Sequence, residues 1–135
     1  MIHIIVPGQP VGKGRPRFSR GRVYTPQKTK DYERLVSNAA YAEMRQAGIE
    51  VLDQPVTLTI LAQFEIPKSW AKWRQDAALL GAFTPGKPDI DNVAKAVLDA
   101  LNGIVYTDDK LVCDLVVKKR YGQPMLIASV TFDEV

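Results

Sequence analysis

Four stretches of the chain show the apolar and polar patterning that is typical of β-strands. In residues 56–64 every second side chain is apolar, so we expect a strand with one face on the core. Residues 2–6, 111–119 and 125–132 are apolar stretches next to turn-forming residues, and strands are predicted there as well. Residues 104–106 form a further short extended segment. The pattern predicts a small mixed sheet of four to five strands.

Three other segments repeat apolar residues every three or four positions and are therefore predicted helices. A polar or proline cap precedes each one and a glycine follows it. Helices interspersed with strands indicate a single α/β (α+β) domain over residues 1–135, with about three helices packed against the sheet. The expected boundaries are Thr25-Pro26 to Gly48, Ser69 to Gly81, and Asp89 to Gly103.

The composition is that of an ordinary globular protein and excludes several functional classes. The 135 residues are 46% hydrophobic and 24% charged, with a net charge of +3, so wholesale disorder is not expected. No apolar run approaches the ~20 residues of a membrane span. One cysteine (Cys113) and one histidine (His3) exclude disulfide frameworks and multi-cysteine zinc sites. We expect a cytoplasmic protein, not bound to a membrane, whose chemistry depends on carboxylates.

Basic and acidic residues occupy different parts of the chain. Residues 13–34 carry eight basic and two acidic residues, and they overlap a Gly/Pro/Arg-rich segment, 7–26, that we expect to be a loop. A second basic cluster lies at 118–120, whereas acids concentrate between 89 and 114. This separation favours a polyanion held by the basic segments; a merely solvated loop is the alternative for 7–26. The candidate nucleic-acid contacts are Lys13, Arg15, Arg17, Arg20, Arg22, Lys87, Lys118, Lys119 and Arg120.

The sequence Lys87-Pro-Asp-Ile-Asp-Asn opens the third predicted helix and places two acids at its start. Asp89 is a natural N-cap residue and Asp91 falls in the first turn. One interpretation is that both acids only cap the helix and interact with its dipole. However, Lys95 and Asp99 follow Asp91 at four-residue steps, which places all three near one helix face.

A second acidic pair, Asp108-Asp109, follows the helix in a predicted turn and can return to the same site. Carboxylates gathered at one point repel each other unless a cation neutralises them. Oxygen ligands without histidine or cysteine suit Mg²⁺ or Mn²⁺, and such a site supports metal-assisted phosphodiester hydrolysis. Lys95 is then a candidate to stabilise charge on the phosphate; its alternative is an ordinary helix ion pair with Asp91.

These motifs together resemble the RusA family of Holliday junction resolvases. The resemblance rests on Asp89-Ile-Asp-Asn-Val-Ala-Lys95, on Asp99-Ala-Leu-Asn-Gly103, and on Tyr106-Thr-Asp-Asp109. The opening Gly-Gln-Pro…Lys-Gly-Arg-Pro-Arg of residues 8–17 is similar to a longer, phage-associated branch. One departure concerns the run of arginines that precedes the first aspartate in the family's best-known member. This chain has a single cation there, Lys87.

The resemblance implies a RusA-like fold and a homodimeric, Mg²⁺-dependent endodeoxyribonuclease, with Mn²⁺ as a substitute. Such an enzyme acts in DNA recombination and repair, where it cuts four-way junctions by paired symmetric nicks. By motif, Asp89, Asp91 and Asp109 correspond to the essential, metal-holding carboxylates, with Asp108 as an additional candidate, and Lys95 corresponds to the helix lysine. The implied partners are branched DNA and a second copy of the chain, without an organic cofactor.

Two other functions remain open at this point. One is a less selective metal-dependent DNA nuclease that uses the same carboxylates, and a panel of substrates would separate it from a resolvase. The other is a non-catalytic protein that binds junctions or branched DNA, in which the acids only cap a helix and form a turn. That alternative predicts no cleavage with any metal, and binding that survives the loss of Asp91.

Overall fold

A four-stranded mixed sheet and three helices form the fold of this computed structural model, which describes residues 1–133. This arrangement confirms the expected α+β class. A separate two-stranded hairpin precedes the first helix. The elements in chain order are β1 (Ile2–Pro7), β2 (Arg17–Ser19), β3 (Arg22–Tyr24), α1 (Gln27–Ala47), β4 (Val56–Phe64), α2 (Lys72–Leu79), α3 (Ile90–Leu101), a 3₁₀ turn (Asp109–Leu111), β5 (Val112–Tyr121) and β6 (Met125–Phe132).

The strand order in the main sheet is β1-β6-β4-β5, so β5 forms one edge. The pairs β1–β6 and β4–β6 are antiparallel, whereas β4 and β5 are parallel. A parallel pair needs a long crossover connection, and the segment that contains α2 and α3 provides it here. The crossover places α3 beside β5, with the 3₁₀ turn between them in sequence.

The core lies between one face of the sheet and the helices α1 and α3. Alternate residues of β4 are buried over its whole length, as its sequence pattern predicts. On α3, Val93, Val97 and Leu101 are almost fully buried, and each such side chain contributes about 1.5–3 kcal/mol relative to an exposed one. This burial fixes α3 and leaves its outer face for polar residues. Within the described residues, no helix is long and apolar enough to cross a membrane.

The basic segment 7–26 differs from the expected loop, because residues 17–24 form the β2–β3 hairpin. Its two-residue turn consists of Arg20 and Gly21, both with positive φ (51° and 74°), as a type I′ turn requires. Arginine is unusual at such a position and no apolar alternation marks the strands, so this turn could hardly be predicted from local patterns. All side chains of β2 and β3 are exposed.

The helix starts also differ from the expected boundaries. Pro26 occupies the N-cap position of α1, rather than the first helical position, and no side chain caps the helix. The helix α2 begins only at Lys72, after Ala71 at the N-cap position, so the prediction that Ser69 caps it is wrong. At the other end of α1 the prediction is confirmed, since Gly48 ends the helix in a left-handed conformation (φ 68°).

Candidate active site

Asp89 lies at the N-terminus of α3, and its carboxylate does not cap the helix. Asp89 is the N-cap residue, and its backbone carbonyl accepts hydrogen bonds from the amides of Asn92 (3.0 Å) and Val93 (3.1 Å). Its side chain, however, accepts no capping hydrogen bond and is exposed. A role limited to capping is therefore not supported for Asp89, and its oxygens are available to an external ligand.

Asp91 and Lys95 lie one turn apart on the exposed surface of α3. Considering all residues from 1 to 133, neither side chain has an ion-pair partner within 4 Å, so the helix ion pair is not formed. Both border a shallow apolar groove between α3 and the edge strand, which Leu98, Leu115 and Val117 help to line. An unpaired carboxylate and an unpaired ammonium on one accessible helix face can each engage a bound substrate.

Asp99 is turned away from this pair and contacts the N-terminal segment instead. Each four-residue step on a helix overshoots a full turn by about 40°, so Asp99 is rotated by about 80° from Asp91. Its Oδ2 lies 3.0 Å from Nζ of Lys13, which also lies 2.7 Å from Oε1 of Glu33 on α1. In addition, the backbone amide of Lys13 donates to the carbonyl of Asn92 (2.8 Å).

Lys13 therefore ties the segment before the hairpin to both α1 and α3. Burial by itself lowers the pKa of this ammonium, but hydrogen bonds and charge attraction from Glu33 and Asp99 outweigh that effect. The net result is a raised pKa. The charge of Lys13, predicted as a DNA contact, is thus largely neutralised inside the protein.

A second acidic group lies at the C-terminal end of α3, where Asp109 meets Asp99, Asp108 and Asn102. The pKa of Asp109 is raised, and desolvation is the largest cause. The hydrogen bond and charge of Asp108 and the charge of Asp99 raise it further, whereas Asn102 lowers it in part. Asp108 itself caps the 3₁₀ turn, since its Oδ1 accepts from the amide of Lys110 (2.8 Å). This crowding of negative charge disfavours an ionised Asp109.

Replacing Asp108 by asparagine should raise the melting temperature at pH 7 in EDTA. Asparagine still accepts the hydrogen bond of the turn, and it removes the charge that raises the pKa of Asp109. A carboxyl with a raised pKa in the fold favours folding at low pH, and this contribution is lost as pH rises. The gain should therefore vanish near pH 3. Thermal melts at both pH values test this, and equal melting temperatures at pH 7 would contradict it.

A groove of about 790 Å³ leads to Asp89 from the basic N-terminal segment. Its walls include Arg15, Arg17, Lys28 and Lys87, and Asp89 lies at its margin. The groove is closed at one side by a tight contact, because a Cβ placed on Gly12 would lie 2.5 Å from Cβ of Pro88. Positive side chains thus converge on the start of α3, as binding of a phosphate backbone requires.

The predicted DNA contacts fall into two groups in the structure. Lys13 and Lys119 have internal partners: the carboxylates described above, and backbone carbonyls of residues 85–88. The others are exposed: Arg15, Arg17, Arg20, Arg22, Lys87, Lys118 and Arg120.

Sequence reasoning missed two polar residues of the site. Lys28 on α1 lines the groove, and its place within the basic run 13–34 was a usable signal. Asn102 lowers the pKa of Asp109 in part, and its position at the end of α3, before Gly103, offered no comparable signal.

Carboxylate oxygens are suitable ligands for a hard divalent cation, but within the described residues a single chain does not bring the acidic residues together into one complete metal site. Among residues 1–133, no group of three or more His, Cys, Asp or Glu side chains is arranged to hold a metal ion. Mg²⁺ commonly binds through one or two carboxylates, while water and substrate phosphates supply the remaining ligands. Asp89, an exposed acid that lines the basic groove, fits that mode of binding, and Asp91, also exposed, lies two residues further along α3 beside the apolar groove.

Comparison with known proteins places the sequence in a known family. A sequence model of the family described as "Endodeoxyribonuclease RusA" matches residues 7–130, which is nearly the whole chain. A protein of Bacillus subtilis (strain 168), described as "Uncharacterized protein YqaN", is 36% identical over 129 residues. That alignment covers 90% of this chain and 89% of the Bacillus protein.

Proposed function

Since this chain belongs to the RusA family of endodeoxyribonucleases, we propose that it resolves four-way DNA junctions. The proposed reaction is Mg²⁺-dependent hydrolysis of two phosphodiester bonds at symmetric positions, in recombination and repair of DNA in the cytoplasm. One observation carries the proposal: Asp89, at the start of α3, lines a basic groove with a free carboxylate, while Asp91 and Lys95 on the same helix have no ion-pair partner within residues 1–133.

The exposed cations of the groove bind and orient the DNA backbone. Arg15, Arg17, Lys28 and Lys87 contact phosphates, and this places one phosphate next to the N-terminus of α3. Asp89 and Asp91 would hold the Mg²⁺ ion. Asp109, and Asp108 as an additional candidate, lie at the other end of α3, so they would contribute carboxylate oxygens from the second copy of the proposed homodimer. When bound, the ion supplies Lewis-acid stabilisation and an acidified water.

Lys95 would donate a hydrogen bond to a non-bridging oxygen of the phosphate that is cut. Its ammonium has no ion-pair partner within residues 1–133, so it needs to break no internal contact to do so. A positive group fixed beside the phosphate stabilises the negative charge that develops in the transition state. Lys95 is therefore the proposed electrostatic catalyst of the chain.

The proposed active form is a homodimer. A four-way junction has twofold symmetry, and two identical active sites related by a twofold axis can cut opposed strands at equivalent positions. One chain with one site makes a single nick at a time. Paired nicking therefore follows from association of two copies.

The decisive experiment compares a labelled four-way junction with a linear duplex and a flap of matched sequence. We expect paired, symmetric cuts in the junction alone with Mg²⁺ or Mn²⁺, and no cuts in EDTA. Comparable cutting of all three DNAs would replace the resolvase by a less selective nuclease. Junction binding without cleavage under any divalent metal would replace it by a non-catalytic binding protein.

The exposed hairpin predicts a specific change in the salt dependence of binding. Replacing Arg17 and Arg22 together by alanine should weaken junction binding in EDTA. The slope of log K against log salt should become shallower by about 2, because each lost phosphate contact removes about 0.9 from it. Binding titrations between about 50 and 200 mM salt measure this slope. An unchanged slope would show that the hairpin does not contact the backbone.

A further inference from the structure

Lys119 on β5 donates to the segment that delivers Asp89 to the site. Its Nζ lies 2.7 Å from the carbonyl oxygen of Pro85, 3.0 Å from that of Pro88 and 3.4 Å from that of Gly86. An ammonium group has three N–H donors and no acceptor, so three converging carbonyls can satisfy it completely. The bonds to Pro85 and Pro88 are part-buried and therefore shielded from competing water.

The backbone of segment 84–88 makes few other hydrogen bonds. Within residues 1–133, no backbone–backbone hydrogen bond involves residues 84–88, which lie outside every helix and strand. Pro85 and Pro88 have no amide hydrogen to donate. Bonds from a side chain are therefore the main polar restraint on the backbone that leads directly into Asp89.

The neighbouring lysine lies on the other face of the sheet and offers a built-in comparison. Lys119 pairs in register with Ala62, which is fully buried under the helices, whereas Lys118 pairs with Leu61. Since successive side chains of a strand point to opposite faces, Lys118 points away from segment 84–88. Two adjacent lysines of one basic cluster thus have different surroundings.

We propose that Lys119 is a positioning residue: it fixes the backbone of residues 85–88 and thereby the place of Asp89 and Asp91. This inference rests on the proposed nuclease function for its consequence, but its structural content is independent of cleavage. Without Lys119 the turn is released, Asp89 is no longer fixed at the start of α3, and the phosphate-binding groove stays basic. Cleavage is then impaired at the chemical step, not at DNA binding.

Hydrogen exchange of the metal-free protein tests the structural content directly. In Lys119→Met we expect at least tenfold faster exchange of the amides of Asn92 and Val93, which donate to the carbonyl of Asp89, with the rest of the sheet unchanged. Methionine retains an apolar stem of similar length, so the fold should persist. If that variant does not fold, Lys119→Arg carries the same test, because a planar guanidinium cannot direct donors at the three carbonyls in the same way.

Kinetics of the same variants separate positioning from DNA binding. For Lys119→Met we expect an unchanged junction Kd in EDTA, and a cleavage rate at saturating junction at least tenfold lower. Lys118→Met should weaken the Kd and leave the exchange of the Asn92 and Val93 amides as in the wild type, because its side chain lies on the other face of the sheet. Wild-type exchange of the Asn92 and Val93 amides in Lys119→Met would overturn the inference, whatever the Kd. If the wild type itself cuts no junction, the nuclease proposal fails, and hydrogen exchange still decides the role of Lys119.

Discussion

Asp91→Asn should reduce cleavage of a four-way junction by about a thousandfold, equivalent to about 4 kcal/mol in the activation barrier. Asparagine has nearly the shape of aspartate but lacks the charge that would hold a divalent cation. Asp91 is exposed and has no ion-pair partner within residues 1–133, so the fold loses no internal contact. Junction binding in EDTA should be retained or slightly tightened, because a negative charge beside the DNA is removed.

The matched control for this loss is Asp76→Asn. Asp76 is an exposed acid on α2 that pairs with Lys72 one turn earlier (3.0 Å). Its removal changes the net charge by the same amount but lies outside the proposed site. Single-turnover cleavage and junction affinity should be close to wild type in this variant. Residual cleavage above a tenth of the wild-type rate in Asp91→Asn would exclude Asp91 from the metal site.

Lys13→Met should destabilise the protein by about 2 kcal/mol, although Lys13 belongs to a conspicuous basic segment. The substitution leaves Glu33 and Asp99 facing each other without the cation between them. The side chains are 18–35% exposed, so water screens part of the repulsion and keeps the loss below that of a fully buried pair. Urea unfolding measures the difference. Lys30→Met, at an exposed lysine of α1, should change stability by less than about 0.5 kcal/mol.

The pH dependence of that loss has a defined sign. The pKa of Lys13 is raised in the fold. Its contribution to the free energy of unfolding is therefore complete below the pKa of the unfolded state, ~10.4, and is lost as pH rises through the pKa of the folded state. The difference between wild type and Lys13→Met should thus be constant at neutral pH and shrink in alkali. Adding Glu33→Gln to Lys13→Met should recover part of the loss. No recovery in the double variant would show that Lys13 acts through its packing alone.

The sheet and the third helix could be predicted from sequence because each is dominated by a local pattern. The alternation in β4 and the three- to four-residue spacing in α3 are signals contained within the elements themselves. The hairpin in the basic segment was missed, since its turn uses Arg20 in a left-handed conformation and its strands bury no side chain. Its shape depends on backbone geometry that hydrophobic patterns do not encode.

In the candidate site, too, features set by neighbouring residues could be predicted, whereas contacts between distant parts of the chain could not. Asp89 and Asp91 could be placed at the start of a helix from the spacing around Pro88 alone. The internal partners of Lys13 and Lys119 could not be predicted, because those partners lie on other elements and depend on how the chain folds back. From sequence alone, a lysine in a basic cluster is predicted to be an exposed charge, and only its neighbours in the structure reveal internal partners.

The tight contact between Gly12 and Pro88 has a consequence for when the site comes into existence during folding. Residues near the beginning of the chain, in the middle and in β5 must all meet before the start of α3 is held in place. Contacts between such distant parts of a chain carry a large loop-closure cost and delay folding. A nascent chain that lacks β5 already contains Asp89 and Asp91 but has no ordered turn to present them. Hydrolytic capacity at the proposed site would then appear only with the completed fold.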